Sequence, residues 1–500
     1  AVQLLPMLRL APLTTRSNLG FSESAVSSVP PRHVWGLLLA DHRGFMDYVL
    51  YVGVPVLALA LVALRSRRAR VWGAFVAVAL VYVLGTHTPL YGLAFRVLPI
   101  LKWLRAPSRI WFVGAAVLAL MAGWGTDQLL AGWRAQPRRW LNRILLAIGA
   151  LGVGLALGYA VGVGRPPDNL IALGLITPLT AGLLAGAVND WLPRRILVAG
   201  LIAVLLAELW IVDGTMIQGR SSEAVFGDTE LAQYLSAQQG GEPFRVYSPS
   251  YSLPRHVAAR YGLETADGVD PLHLEAYAAW MEAASWVERK GYTETVPPLE
   301  NGGGIYGANR EARPDPRLLG LLNVRYVAAE FPIQVDGLRN VARFGSTYLY
   351  ENEHTMPRAF VVGRVDPVSD FDAALDWVQS HDVSHAAAVE GGQALDSGEV
   401  TGEIEWVRRS PNRLVLDVTV DRPAFLVLSQ AWYPGWDCEV NERNAKSWRS
   451  NGTLSGVYLE PGDHRVSFLY HPQRTVVGAG ISLAAGLVVC AVLWIRRPRS

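Results

Sequence analysis

The twenty residues from Val476 to Ile495 contain no charged side chain, and Arg496, Arg497 and Arg499 follow soon after. At a helical rise of 1.5 Å per residue, a run of that length covers the roughly 30 Å of a bilayer's hydrocarbon core. The stretch before it, Ala431 to Pro472, AWYPGWDCEVNERNAKSWRSNGTLSGVYLEPGDHRVSFLYHP, is polar, turn-rich and alternating. It reads as a compact β unit joined by Gln473 to Thr475 to a closing membrane helix whose tail lies in the cytoplasm.

Six further apolar stretches fall at about Tyr48 to Leu64, Val71 to Leu84, Ile110 to Gly125, Leu141 to Val163, Leu170 to Val188 and Ile196 to Val212, which predicts seven crossings. Arginines mark every second loop: Arg65, Arg67, Arg68 and Arg70 after the first span, Arg134, Arg138, Arg139 and Arg143 after the third, Arg194 and Arg195 after the fifth. The positive-inside rule then places residues 1–47, the loop near 85–109, the GRPPDN turn and residues 213–474 on the extracytoplasmic face. Trp103, Trp111, Trp124, Trp133, Trp140, Trp191, Trp210 and Trp494 lie near span ends, as an interfacial aromatic belt requires.

Charge separates the same parts. Residues 213–474 carry 36 acidic and 23 basic side chains, whereas the rest of the chain carries 7 and 22. An anionic domain without a basic stripe is unsuited to neutralising phosphate backbones, so nucleic acid is excluded as a partner and the lipid bilayer is expected. Cys438 and Cys490, one in the polar part and one in the last span, form no disulfide framework. The opening AVQLLPMLRLAP reads as the tail of a helix already under way, and the chain as the C-terminal part of a longer protein.

Within the polar part, DTELAQYLSAQQ, Leu272 to Lys290 and Ser369 to Gln379 read as helices, and FRVYS and NVRYVAAEF as strands. Residues 404–471 alternate, with turns at Pro434-Gly435 and Pro461-Gly462, and predict an antiparallel sandwich beyond a linker at Gly391 to Gly402. The expected fold is a polytopic α-helical membrane protein with an extracytoplasmic α+β domain ending in a β-sandwich-like unit. Its parts are a loop over 1–47, six transmembrane helices over 48–212, a mixed α/β domain over 213–400, the sandwich over 401–475, a final span over 476–495 and a cytoplasmic tail over 496–500.

Few residues carry chemistry. Arg105 and Arg109 flank Pro107 and Ser108 where the third span begins, and a helix start beside guanidinium groups suits a lipid-linked phosphate. The same arginines also suit headgroup anchoring by snorkelling. Glu208 lies in the outer third of the sixth span and calls for a cavity or a partner, and His87 sits at the outer end of the second. Asp370 and Asp372 form a DxD pattern, but Ser369-x-x-Asp372 is equally a helix cap. His381 and His385 are four apart without a third ligand, so no metal site is predicted. Asn301-Gly-Gly-Gly reads as a flexible loop, and Asn451-Gly452-Thr453 as a hairpin rather than a glycosylation site. Trp432, Tyr433, Trp436 and Tyr458 read as packing in preference to a sugar platform.

YPGW, then PGDHRVSFLYHP and a last helix, taken in order with QLLPML and Arg16-Ser17, YVGVPVLALALVAL, LRAPSR, DGVDPL, LLNVRYV and ENEHTMPRAFVV, resembles the bacterial YfhO family of membrane proteins. That resemblance covers nearly the whole chain. It departs at Asn441-Glu442-Arg443-Asn444, where relatives tend to place an Asp-Gly hairpin and this chain is expected to form a longer polar turn.

The resemblance implies a C-type glycosyltransferase of the bacterial cytoplasmic membrane, taking sugar from a polyprenyl-phosphate donor and passing it to a cell-envelope glycan acceptor at the outer face. It implies Arg105 and Arg109, with Arg16, as contacts to the carrier phosphate. The resemblance places the catalytic acid in an upstream loop, so no catalytic residue is carried over onto this part; no cofactor is expected in it, and a divalent metal is implied only for the full-length protein. The alternative is a non-catalytic, membrane-anchored glycan-binding or assembly protein. A transporter ranks third, for want of paired broken helices.

Overall fold

The computed structural model describes residues 2–39, 46–131, 138–164, 167–214, 219–227, 229–240, 242–299 and 308–495. Asn301 to Gly304, Trp133, Arg134 and the Arg496, Arg497 and Arg499 tail lie outside them. The chain forms two compact units, one of Asn18–Ser221 and the other of Ala1–Ser17 with Ser222–Ser500.

The first unit is helical. Four of its helices, Pro107–Leu130, Asn142–Gly162, Asp168–Val188 and Arg194–Val212, are long and apolar enough to cross a membrane; a fifth such helix, Gln473–Val492, belongs to the other unit. Two of the seven predicted crossings are not among these helices. The run from Tyr48 becomes helical only at Val54–Ala63, ten residues, because Gly53 sits at φ 95° and Pro55 starts the first turn. At helical rise that is about 15 Å, half a hydrocarbon core. The second is a 17-residue helix, Arg67–Val83, with Arg67, Arg68 and Arg70 in its opening turn and Ser66 capping the Ala69 N–H at 3.1 Å. Hydropathy reports apolar length, and it does not report where a glycine and a proline stop the helix.

Close approach holds this bundle together. Gly125 in the Trp111–Leu130 helix lies against the backbone carbonyl of Leu59, where a side chain would collide. Asn142 and Asn189 exchange two 3.0 Å hydrogen bonds across neighbouring helices. Amides on facing apolar helices satisfy each other in this way.

The second unit contains a mixed sheet in the spatial order Glu264–Thr265, Arg245–Tyr247, Val324–Ala329, Thr347–Asn352, Leu338–Phe344. Its first three strands run parallel, and the helices Glu230–Ala237 and Arg255–Arg260 bury Leu231, Leu235, Val257 and Ala258 in the core they share with this sheet. A seven-stranded and a five-stranded sheet then face each other. On Arg413–Val420, every second residue, Leu414, Leu416, Val418 and Val420, points into the core between them. The strand Ala424–Ala431 is buried on both faces: Ala424, Leu426 and Leu428 join that core, while Phe425 and Val427 join a second one around Trp280 and Leu319. This is why AFLVL reads as an unbroken apolar run.

The sandwich does not begin at 401. Ala359–Val362 pairs with Ala424–Ala431, Arg364–Val368 and Ala386–Glu390 lie in the same seven-stranded sheet, and Leu395–Asp396, inside the expected linker, pairs with Arg364 and Val365. The expected longer turn at Asn441 to Asn444 is also corrected. Val440 pairs directly with Arg443, leaving a two-residue hairpin in which Asn441 and Glu442 both take positive φ, 51° and 63°. Two consecutive left-handed residues match the right-handed twist of the flanking strands.

Candidate functional site

In the helical unit, Pro30 and Pro31 lead into a 3-10 segment, Pro31–Leu37, that carries Arg32, His33 and Trp35. A second short turn, Met46–Tyr48, followed by non-helical chain to Gly53, presents Tyr48 and Tyr51. With Asn169 these side chains line a cavity of about 490 Å³. The His33 and Tyr48 rings lie 5.2 Å apart, and Arg32 Nε points at His33 Nε2 over 3.4 Å. Asn169 Oδ1 is buried and accepts no hydrogen bond among the described residues. The cavity therefore offers a guanidinium, an imidazole, two phenols and an open amide acceptor, and no Asp or Glu is among the described residues lining it.

Glu208 stands behind this wall. It is fully buried, and its Oε1 accepts from the Tyr51 hydroxyl and from the Val54 N–H at 3.0 Å. Val54 is the first residue of the ten-residue helix, so the carboxylate caps a helix start that no neighbouring side chain in sequence supplies. Its Oε2 has no partner among the described residues and lies against Gly53, where a Cβ would come within 2.9 Å. The acid thus has two partners, a phenol and the backbone at the start of a short helix.

The turn Arg105 to Arg109 borders the same region. Ala106 is left-handed at φ 61°, Pro107 opens the 3-10 turn that runs into the long Trp111–Leu130 helix, and Ser108 is buried. Arg109 Nη2 lies 3.8 Å from Asp47 Oδ2, next to Tyr48, and Trp111 Nε1 donates to the Leu50 carbonyl at 2.9 Å. Arg105 is half-buried and Arg109 exposed. Arg16 belongs to the other compact unit, where its guanidinium covers the Tyr292 ring at 5.4 Å. His87 is exposed on the turn Gly85–His87.

The other residues singled out in the sequence take part in caps, turns and packing. Asp370 is itself the N-cap of Phe371–Ser380, one residue later than Ser369, and accepts from the Ala373 N–H at 3.0 Å. His381 stacks on Trp377 at 4.4 Å, and no group of three His, Cys, Asp or Glu fit for a metal occurs among the described residues. Asn451 is fully buried in a hairpin, its Oδ1 accepting from the Ala388 N–H, and its Nδ2, the atom that would carry a glycan, is buried with it. Tyr458 packs on Phe425 and donates to the Gln393 carbonyl. Tyr433, Trp436 and Tyr470, by contrast, flank an apolar groove of about 580 Å³ together with Met7, Leu272 and Leu274.

Arg32, His33, Tyr48, Tyr51 and Asn169 escape a reading of the sequence because no spacing unites them; the Pro30-Pro31 pair ahead of Arg32-His33 is the signal that marks them. In comparisons with known proteins, the chain matches no family model, no curated sequence and no solved structure.

Proposed function

We propose that the chain is part of a YfhO-like, C-type glycosyltransferase of the bacterial cytoplasmic membrane, which passes sugar from a polyprenyl-phosphate carrier to an envelope glycan at the outer face. The observation that supports this reading is the cavity where Arg32, His33, Tyr48, Tyr51 and Asn169 converge beside the Arg105 to Arg109 turn. A phosphate linked to a sugar needs cationic donors for the phosphate oxygens and neutral acceptors for the sugar hydroxyls, and this lining holds both. Trp35, largely exposed, gives a flat apolar face of the kind a sugar ring or isoprene unit covers. These residues bind and orient the donor; the base that takes the acceptor's proton is assigned to none of them.

The groove beside Tyr433, Trp436 and Tyr470 favours a second reading, in which the second unit holds a glycan and the helices anchor it. Transfer of labelled sugar from polyprenyl phosphate, measured with full-length protein in liposomes, separates the two. Under the first reading, Arg32→Gln and Arg109→Ala each raise the apparent donor KM about tenfold, as expected for loss of one charged hydrogen bond. Unchanged donor affinity in both variants removes the donor site, and absence of any transfer with retained glycan binding favours the second reading.

A further inference from the structure

The unit that carries the excess of acidic residues also holds a part-buried cluster of arginines. Arg245 stands opposite Glu264 in the parallel pair of strands, Arg358 immediately precedes Ala359–Val362, and Arg409 follows a bulge at Trp406 to Arg408 that re-aims the strand. All three reach one carboxylate: Arg358 Nη2 lies 2.9 Å from Glu264 Oε2, Arg409 Nη2 3.4 Å from Oε1, and Arg245 Nε 3.8 Å from Oε2.

Arg245 is otherwise satisfied, donating to the Leu322 carbonyl and to the hydroxyl and carbonyl of Ser429. Arg358 is not. Its side chain is 9% exposed, and its Nη1 is buried with no acceptor among the described residues. Burial and the neighbouring Arg245 push the Arg358 guanidinium down to about 9, still a cation at neutral pH. Arg409 opens onto a cavity of about 270 Å³ lined also by Gln239 and Trp406, where Glu242 is the further acid. Counting Glu242, guanidinium charge still exceeds carboxylate charge, and such an excess in a partly buried place is costly unless an anion joins it.

We propose that Arg245, Arg358 and Arg409 form a binding site for a phosphate-type oxyanion, either free phosphate or the phosphodiester of a polymer. Glu264 occupies the place such an anion takes: its part-exposed carboxylate meets all three guanidinium groups, and an anion that displaced it toward water would meet the same three. Arg245 positions the others through its backbone contacts, Arg358 supplies the idle Nη1, and Arg409 closes the open side. The site owes nothing to the sugar-transfer reading.

The test is calorimetric titration of the full chain in nanodiscs with sodium phosphate and with diglycerol phosphodiester, against sodium chloride at equal ionic strength. Saturable binding of phosphate or the diester is expected, tightened about tenfold in Glu264→Gln, which removes the competing carboxylate, and weakened about tenfold in Arg409→Gln. Binding of the diester as tight as that of phosphate assigns the site to a polymer, and binding of phosphate alone assigns it to the free anion. A response no larger than that to chloride overturns the proposal, as does equal affinity in wild type and Arg409→Gln. Because Arg409 is part-exposed, that variant carries the test even where Glu264→Gln does not fold.

Discussion

At the scale of single residues, two buried carboxyl groups make opposite bargains. Glu208 serves as the missing cap of the helix at Val54. Glu208→Ala strands the Val54 N–H and the Tyr51 hydroxyl and is expected to lower stability by about 1 to 3 kcal/mol, while Glu208→Gln keeps the acceptor oxygen and loses less; thermal unfolding in detergent gives both values. Asp267 is buried 3.3 Å from Arg255, and burial outweighs that cation, pushing its carboxyl up to about 6. A carboxyl raised above its unfolded value of about 4 favours folding when protonated, so its contribution is full below pH 4 and is lost as pH rises through 6. Asp267→Asn removes this dependence. Wild-type stability is expected to fall by about 3 kcal/mol relative to Asp267→Asn between pH 4 and pH 7, read from melting curves. The sequence marked Glu208 as a residue needing a partner, and burial has supplied one. It gave no sign that the partner was a backbone N–H some 150 positions away, because hydrogen bonds across a fold leave no local spacing.

At the scale of elements, strand alternation and helix period were legible, and terminations less so. The strands FRVYS and NVRYVAAEF and the helix after Ser369 stand where their patterns put them. The first apolar run is helical over only Val54–Ala63 because apolar composition is blind to the positive φ of Gly53, and the Asn441 hairpin was misread as long because Glu is an unusual residue at φ 63°. That last feature is measurable. Glu442→Gly relieves a left-handed side chain and is expected to stabilise the protein by about 1 kcal/mol, seen as a higher melting temperature with unchanged strand content in circular dichroism.

At the scale of the molecule, five helices among the described residues fit to cross a membrane, and they share one chain with a unit of opposite charge balance. The arginine pattern predicts the outer face for residues 213–474, and labelling tests that prediction. With Cys438→Ser and Cys490→Ser in place, Glu399→Cys is expected to react with a membrane-impermeant maleimide on intact cells; labelling only after lysis reverses the orientation. The candidate cavity was the least legible part, since its lining comes from two short turns and a helix start distant in sequence. The strand Ala424–Ala431, with a core on each side, acts as a shared wall, and a wall cannot be left behind when one room is removed. Residues 401–475 expressed alone would expose Phe425 and Val427 to water and lose the pairing with Ala359–Val362, so they should aggregate, whereas residues 1–17 joined by a linker to 222–500 should stay monodisperse by gel filtration in detergent.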